Sequence, residues 1–265
     1  MSLMDHLREL RYRVTVSVIV IVVGSCIAGA FYDKLVHFIT DPFQLAKQMV
    51  LENTNGTAQI TLTAQNVVSP FTLAIVACAL AGIVFTSPIW LYQIWAFFAP
   101  ALLKTEKKYV LTFVGAATPL FLGGCWLGYV IWPRGIAIMI GFTPQGFDIQ
   151  NLLDMVDFLQ KQIMIMLAFG FSFLLPLLLV MLNIAGVVHG FQLGKYRKMV
   201  VLGATILAAV VTPTPDAFTM LSLVVPVTLL FLVAEVVCRI IDKRRGITEE
   251  SFAEFNPEIE ADGAS

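Results

Sequence analysis

Residues 5–33 read "DHLRELRYRVTVSVIVIVVGSCIAGAFYD", and no charged residue occurs between Arg13 and Asp33. An apolar run of about 20 residues is long enough to cross the roughly 30 Å hydrocarbon core of a membrane as a helix. The whole chain of 265 residues is 58% hydrophobic and 13% charged. Globular proteins have about 45–50% apolar and about 25% charged residues. The sequence therefore indicates an integral membrane protein.

Five more apolar segments follow the first. We predict an all-α integral membrane protein with six transmembrane helices, at residues 14–31, 71–94, 109–132, 163–188, 199–211 and 218–238. We expect the last two spans to be short. The fifth would be only about 20 Å long at about 1.5 Å per residue. Residues 1–245 would form the membrane domain, and the acidic residues 246–265 would be a disordered cytoplasmic tail.

The first span has a second interpretation. A basic start followed by the small residues "AGAF" at 28–31 is also typical of a secretory signal peptide. A retained helix is favoured, because five spans follow and the basic residues before it begin the charge pattern of the loops.

Basic residues alternate between the two ends of these spans. The ends that would share one side with the N-terminus hold 13 of the 17 basic residues, namely Arg8, Arg11, Arg13, Lys104, Lys107, Lys108, Lys195, Arg197, Lys198, Arg239, Lys243, Arg244 and Arg245. Because lysine and arginine accumulate in cytoplasmic loops, we expect both termini in the cytoplasm. A bacterial-type inner membrane is the expected location.

Proline and glycine mark the expected helix packing. Four of the predicted spans contain an internal proline, Pro88, Pro119, Pro176 and Pro226. Proline bends helices, although it is also simply common in membrane helices, so several spans are expected to be bent. Gly124 and Gly128 form a GxxxG pattern, which is a weak signal for close packing.

Charges are almost absent from the predicted spans. Glu235 is the exception, and a pair with Arg239 one turn later is its simplest explanation. Asp216 precedes the sixth span, where it can cap the helix N-terminus. Carriers usually place ionisable residues in mid-membrane, so a secondary carrier or channel fits poorly, and a structural assembly protein is the other alternative. No cofactor, metal site or enzymatic activity is expected, and a net charge of −1 does not favour nucleic acid.

Two acidic residues lie among the bases on the predicted cytoplasmic side. Glu9 precedes the first span, and Glu106 follows the second. Each could simply pair with a neighbouring base, Arg13 for Glu9 and Lys107 or Lys108 for Glu106. Exposed pairs of this kind contribute a few tenths of a kcal/mol. On these residues alone, local pairing is the favoured interpretation.

Four ordered motifs give the sequence a family resemblance. "HLRELR" (6–11), "VSPF" (68–71), "YQIWAFFAPALLKTEKK" (92–108) and "VVTPTPDAF" (210–218) are similar to those of the twin-arginine translocase subunit TatC. The resemblance implies the signal-peptide receptor of a translocase that exports folded proteins. Export by that translocase is driven by the proton motive force. Its implied partners are twin-arginine signal peptides, single-span subunits of the TatA/TatB type, and further copies in a larger complex.

The resemblance also implies roles for particular residues. Glu9 and Glu106 would receive the two arginines of the signal peptide, with Arg11, Phe97 and Lys104 shaping the site. A second set would serve structure or partner contact, namely Pro70, Tyr129, Thr212, Asp216 and Met220.

The chain departs from the family pattern at three places. Leu174 in "SFLLP" stands where the family commonly has an acid, and "TPTPD" leaves open whether Thr212 or Thr214 is the family threonine. Met220 replaces a frequent glutamine, a role for which Thr219 could substitute. Partner docking is expected around Met199–Met220, because a short helix leaves a groove that another span can fill.

Overall fold

A computed structural model describes residues 3–53, 59–102, 107–144, 150–211 and 216–246 of the chain. Nine helices and two strands lie in this part: α1 Leu3–Gly29, α2 Tyr32–Asn53, β1 Gln59–Thr63, α3 Ser69–Phe85, α4 Ser87–Leu102, α5 Lys107–Gly141, β2 Gln150–Asp154, α6 Met155–Ile184, α7 Gly190–Lys195, α8 Arg197–Val211 and α9 Ala217–Arg244. The prediction of a membrane protein built from apolar helices is confirmed.

The long helices follow the predicted spans. Within the described residues, α1, α5, α6 and α9 are each long and apolar enough to cross a membrane. The second predicted span is broken at Thr86 into α3 and α4, which meet at 61° and together can count as a fifth span. Pro88 lies at the start of α4, next to this break. The count of six spans stays a prediction, because α8 is too short to cross alone.

The lengths of the last two helices differ from each other. α8 has 15 residues, so the fifth helix is short as predicted. α9 has 28 residues, and the prediction that it is short too is wrong. The prediction ended with the apolar run at Cys238, whereas the helix continues through charged residues to Arg244. Pro119, Pro176 and Pro226 lie inside α5, α6 and α9.

The two connections at one end of the bundle contain a helix and a strand pair that lie outside the predicted spans. α2 buries one stripe, formed by Ile39, Phe43, Ala46 and Val50. β1 then pairs in parallel with β2, with Gln59 opposite Gln150 and Thr63 opposite Asp154. The fold is therefore not purely helical. We call this the strand end of the bundle, and the opposite end, where α1 begins and α9 finishes, the basic end.

Small residues allow the helices to pack closely. A Cβ atom added to Gly124 of α5 would lie 2.6 Å from the Phe169 carbonyl oxygen of α6, and one on Gly128 would lie 2.9 Å from Met166 Cα. α1 and α3 meet in the same way, since a Cβ on Gly82 would lie 2.7 Å from the Ile21 carbonyl oxygen. The GxxxG pattern thus marks the contact of α5 with α6.

Candidate functional site

Glu9 lies on the first turns of α1 and pairs with Arg13 one turn later. Arg13 Nε and Nη2 both donate to Glu9 Oε1, at 3.0 and 2.6 Å. Arg13 Nη1 also donates to Gln93 Oε1 of α4 at 3.3 Å, so the pair joins α1 to α4. Both side chains are about one-fifth exposed, at 20% and 23%. The local pairing of Glu9 with its own neighbour is confirmed, and the pair remains accessible.

Two cavities adjoin this ion pair. A cavity of about 570 Å³ beside the start of α1 is lined by polar and charged side chains that include Glu9, Arg11 and Tyr12. A second cavity of about 360 Å³ is apolar apart from Arg13, Ser17 and Gln93. It lies between α1, α4 and α6, and Phe97 and Phe171 line it. We call the second cavity the α1–α4 groove.

The predicted residues therefore fall into two places around Arg13. Glu9 and Arg11 line the polar cavity, and Phe97 lines the α1–α4 groove. Lys104 and Glu106 lie outside the described residues. The meeting of Glu9 with Glu106 stays a prediction.

Tyr129 joins α5 to α2. Its hydroxyl donates to the Phe38 carbonyl oxygen at 2.8 Å, and its ring stacks on the Phe38 ring with centroids 4.6 Å apart. Pro70 is exposed in the first turn of α3, where a missing N–H removes no helical hydrogen bond. Tyr129 thus links two helices, and Pro70 begins one.

Asp216 caps α9, as the sequence predicts. Its carboxylate accepts a hydrogen bond from the Thr219 backbone N–H at 2.7 Å. Met220 is half-buried in the next turn. Thr219 is fully buried, and a Cβ on Gly135 of α5 would lie 2.9 Å from its hydroxyl oxygen. The expectation that Thr219 could offer a polar contact to a partner is therefore wrong. Thr212 and Thr214 lie outside the described residues.

Leu174 lies in apolar surroundings. It lines a cavity of about 360 Å³ between α4, α5 and α6, together with Trp95, Phe113, Leu178 and Met181. A carboxylate at this position would be surrounded by apolar side chains. The described part of the chain has no cluster of three acidic, histidine or cysteine side chains that could hold a metal ion.

A buried polar cluster at the basic end was only partly foreseen. Arg239 pairs with Glu235 as predicted, with its Nε 2.9 Å from Oε1. Arg197, 38 positions earlier, donates to both oxygens of the same carboxylate, at 2.6 and 2.7 Å. These hydrogen bonds raise the pKa of the Arg197 guanidinium above its ordinary value, so it remains charged.

The same cluster continues to Asp242. This buried carboxylate accepts from Asn183 Nδ2 at 2.8 Å and from the Gly190 backbone N–H at 2.6 Å. α7 can approach α9 this closely because a Cβ on Gly190 would lie 2.6 Å from the Arg239 backbone nitrogen. The signal in the sequence is the spacing of the two glycines in "HGFQLGK" (189–195), which places both on one face of a helix.

Comparisons with known proteins point to one family. A family model described as "TatC: Sec-independent protein translocase protein" matches residues 5–226. A protein of that name from Xylanimonas cellulosilytica is 36% identical over 231 residues, which are 87% of this chain and 81% of that protein. Another from Desulforapulum autotrophicum is 31% identical over 97% of this chain and 91% of its own length.

Solved structures give the same match in three dimensions. A crystal structure of the twin arginine translocase receptor TatC in the detergent DDM superposes with a TM-score of 0.71 at 26% identity, over 88% of this chain and 99% of that one. A second crystal structure of that receptor has a TM-score of 0.68 at 29% identity, over 89% and 98%.

Proposed function

The chain belongs to the TatC family of Sec-independent protein translocase proteins, and from that premise we propose that it is a receptor for twin-arginine signal peptides. It is a multi-pass membrane protein that takes part in protein transport. The observation that carries the proposal is the position of Glu9, an accessible carboxylate that lines the polar cavity and pairs with Arg13, which lines the apolar α1–α4 groove.

The chemistry of Glu9 suits a guanidinium group. A carboxylate binds guanidinium through paired hydrogen bonds, and arginine stays charged at every physiological pH. Arg13 already holds one oxygen of Glu9, Oε1, through two nitrogens. Because an exposed i, i+4 pair contributes only about 0.3–0.5 kcal/mol, an incoming arginine can replace or share this contact at low cost.

The α1–α4 groove suits the rest of a signal peptide. Signal peptides have a basic start followed by an apolar segment of about 7–15 residues. The groove begins beside Arg13 and Gln93 and continues between Val14, Val18 and Ile83, among other apolar side chains. A peptide with its arginines near Glu9 can therefore place its apolar segment against this surface.

Glu106 is the second acid of the proposed site. In the proposal it lies near Glu9 and takes the second arginine of the peptide, with Arg11, Phe97 and Lys104 around the bound segment. Lysine has no planar fork, so two acids in this arrangement would prefer an arginine pair to a lysine pair. The many bases of the same face would repel peptides that do not fill the site.

The wider setting follows from the family. We place the basic end and both termini in the cytoplasm, and the protein in the inner membrane, on the distribution of basic residues. The chain would act without catalysis, in a translocase complex whose export of folded proteins is driven by the proton motive force. Single-span subunits of the TatA/TatB type would dock near the short α8, and Pro70, Tyr129, Thr212, Asp216 and Met220 would support that assembly.

A binding assay with matched variants tests the proposal. The full chain in lipid nanodiscs is titrated with a fluorescent twin-arginine signal peptide and with its twin-lysine version. Glu9→Gln and Glu106→Gln should each weaken twin-arginine binding about 10- to 100-fold, because charge-assisted hydrogen bonds contribute about 1.5–3 kcal/mol. The double variant should bind both peptides equally.

The control for this assay is Asp157→Asn. Asp157 forms an i, i+4 pair with Lys161 at 2.7 Å, so it matches the Glu9–Arg13 pair, but it lies at the strand end. Its variant should bind like the unmodified chain. Unchanged binding by the Glu9 and Glu106 double variant would refute the receptor site, and so would an equal loss in the Asp157 variant.

A further inference from the structure

Glu235 is a buried carboxylate held by two arginines. Its side chain is 1% exposed, whereas those of Arg197 and Arg239 are 56% and 52% exposed. Arg197 uses Nε and Nη2 to reach the two carboxylate oxygens, and Arg239 uses Nε and Nη2 to reach Oε1 alone. One carboxylate thus fixes two positive side chains, and both guanidinium groups are about half-exposed.

Each guanidinium keeps unused donors. A guanidinium has five N–H groups, and the Nη1 nitrogens of Arg197 and Arg239 donate to no group within the described residues. Because Glu235 fixes both side chains, a ligand that accepts these donors need not order two flexible arginines first. Ordering such side chains otherwise opposes binding.

The length of α9 agrees with a position of this pair at the depth of the lipid headgroups. Asp216 caps α9 at the strand end, and Glu235 follows 19 residues later, which is about 28 Å at about 1.5 Å per residue. The hydrocarbon core is about 30 Å thick. Tyr196 is exposed directly before Arg197, and tyrosine is enriched at the membrane–water interface.

Apolar side chains continue from the arginines into the membrane. Val201 lies one turn beyond Arg197 on α8, and Val236 lies one turn before Arg239 on α9, and both are exposed. Residues at these spacings share a helix face. A molecule bound between the arginines would therefore have apolar surface on its membrane side.

We propose that Arg197 and Arg239 bind the phosphate of an anionic phospholipid headgroup, with Glu235 as the residue that positions them. Arginine binds phosphate oxygens in a planar, paired geometry. Basic pockets between transmembrane helices are suited to anionic headgroups. The lipid would hold the short α8 against α9, since one arginine comes from each helix. This site is separate from Glu9 and does not depend on the proposed receptor function.

Native mass spectrometry of the delipidated full chain tests this site. Added phosphatidylglycerol should bind in preference to phosphatidylcholine at equal concentration. Arg197→Gln and Arg239→Gln should each lower phosphatidylglycerol affinity more than about tenfold, because each removes charge-assisted hydrogen bonds to the phosphate. The matched control is Lys198→Gln, which removes the same charge from the same helix end without a contact to Glu235, and should lower affinity by no more than the roughly fivefold effect of one surface charge.

Two further arms keep the test decisive. Arg197→Lys retains the positive charge beside Glu235 and is used if the glutamine variant does not fold. Because lysine lacks the planar guanidinium group, this variant should also lose most of the preference for phosphatidylglycerol. Inorganic phosphate at the same concentration should not displace the lipid. Equal losses in the Lys198 and arginine variants, no preference over phosphatidylcholine, or displacement by inorganic phosphate would each overturn the proposal.

Discussion

Replacing Gly124 with alanine is expected to force α5 and α6 apart, whereas the same change at the adjacent Gly123 is expected to be harmless. The added Cβ at position 124 would lie 2.6 Å from the Phe169 carbonyl oxygen and 2.8 Å from Gly170 Cα. At position 123 nothing lies within 4 Å of the added atom. The two glycines are neighbours in one helix, so they differ mainly in what they face.

The size of the effect follows from these distances. Both close neighbours are backbone atoms, which cannot turn aside as a flexible side chain can. Relief therefore needs a helix displacement of several tenths of an ångström, which loses part of the dispersion attraction along the contact. Overpacking of this kind costs about 1–3 kcal/mol. Gly123→Ala should be neutral or stabilising by up to about 1 kcal/mol, because alanine is the better helix former.

Thermal unfolding of the purified chain in one detergent measures the difference. For a protein of this size, about 1 kcal/mol shifts the midpoint by about 2–4 °C, so Gly124→Ala should lower it by roughly 2–12 °C. Gly123→Ala should leave the midpoint unchanged or raise it. Equal midpoints for the two variants would refute the close contact of α5 with α6 at Gly124.

Two further predictions concern single buried groups. Tyr129→Phe removes the hydrogen bond to the Phe38 carbonyl oxygen but keeps the stacked rings, so it should lower the free energy of unfolding by about 0.5–1.5 kcal/mol and speed amide hydrogen exchange in α2. The control is Tyr92→Phe at an exposed position. Unchanged exchange in the Tyr129 variant would contradict the contact between α5 and α2. Thr219→Val removes a buried hydroxyl that has no hydrogen-bond partner among the described residues. It should therefore raise the unfolding midpoint or leave it unchanged. A clear fall in the midpoint would show that the hydroxyl has a hydrogen-bond partner.

Features that depend on local sequence were predictable. Uninterrupted apolar runs located the long helices, the spacing of Gly124 and Gly128 marked a helix contact, and Asp216 stands where an N-cap residue belongs. Features that join distant segments were not. The paired residues of β1 and β2 are 91 positions apart, and no local pattern brings two separate loops into one parallel pair.

The contacts of the polar residues at the basic end were also only partly predictable from the sequence. The pairing of Glu9 with Arg13 follows from their i, i+4 spacing, but the link of Arg13 to Gln93 requires the fold. Glu235 was assigned to Arg239 alone, because Arg197 belongs to a different helix. α9 also extends beyond its predicted end, because the prediction stopped with the apolar run at Cys238, whereas the helix continues through charged residues to Arg244. The α1–α4 groove likewise depends on three helices that the sequence cannot place side by side.

The proposed receptor site is tested most directly by photocrosslinking a twin-arginine precursor from two positions that leave both carboxylates in place. These are position 12, where Tyr12 lines the polar cavity beside Glu9, and position 105, which adjoins Glu106 in the sequence. A photoreactive residue is placed at one position at a time in the otherwise unmodified chain, and the precursor is compared with its twin-lysine version. We expect both positions to crosslink to the residues that flank the arginine pair, and the twin-lysine precursor to crosslink from neither. Crosslinks from only one of the two positions, or equal yields from the two precursors, would contradict a shared site for the arginine pair.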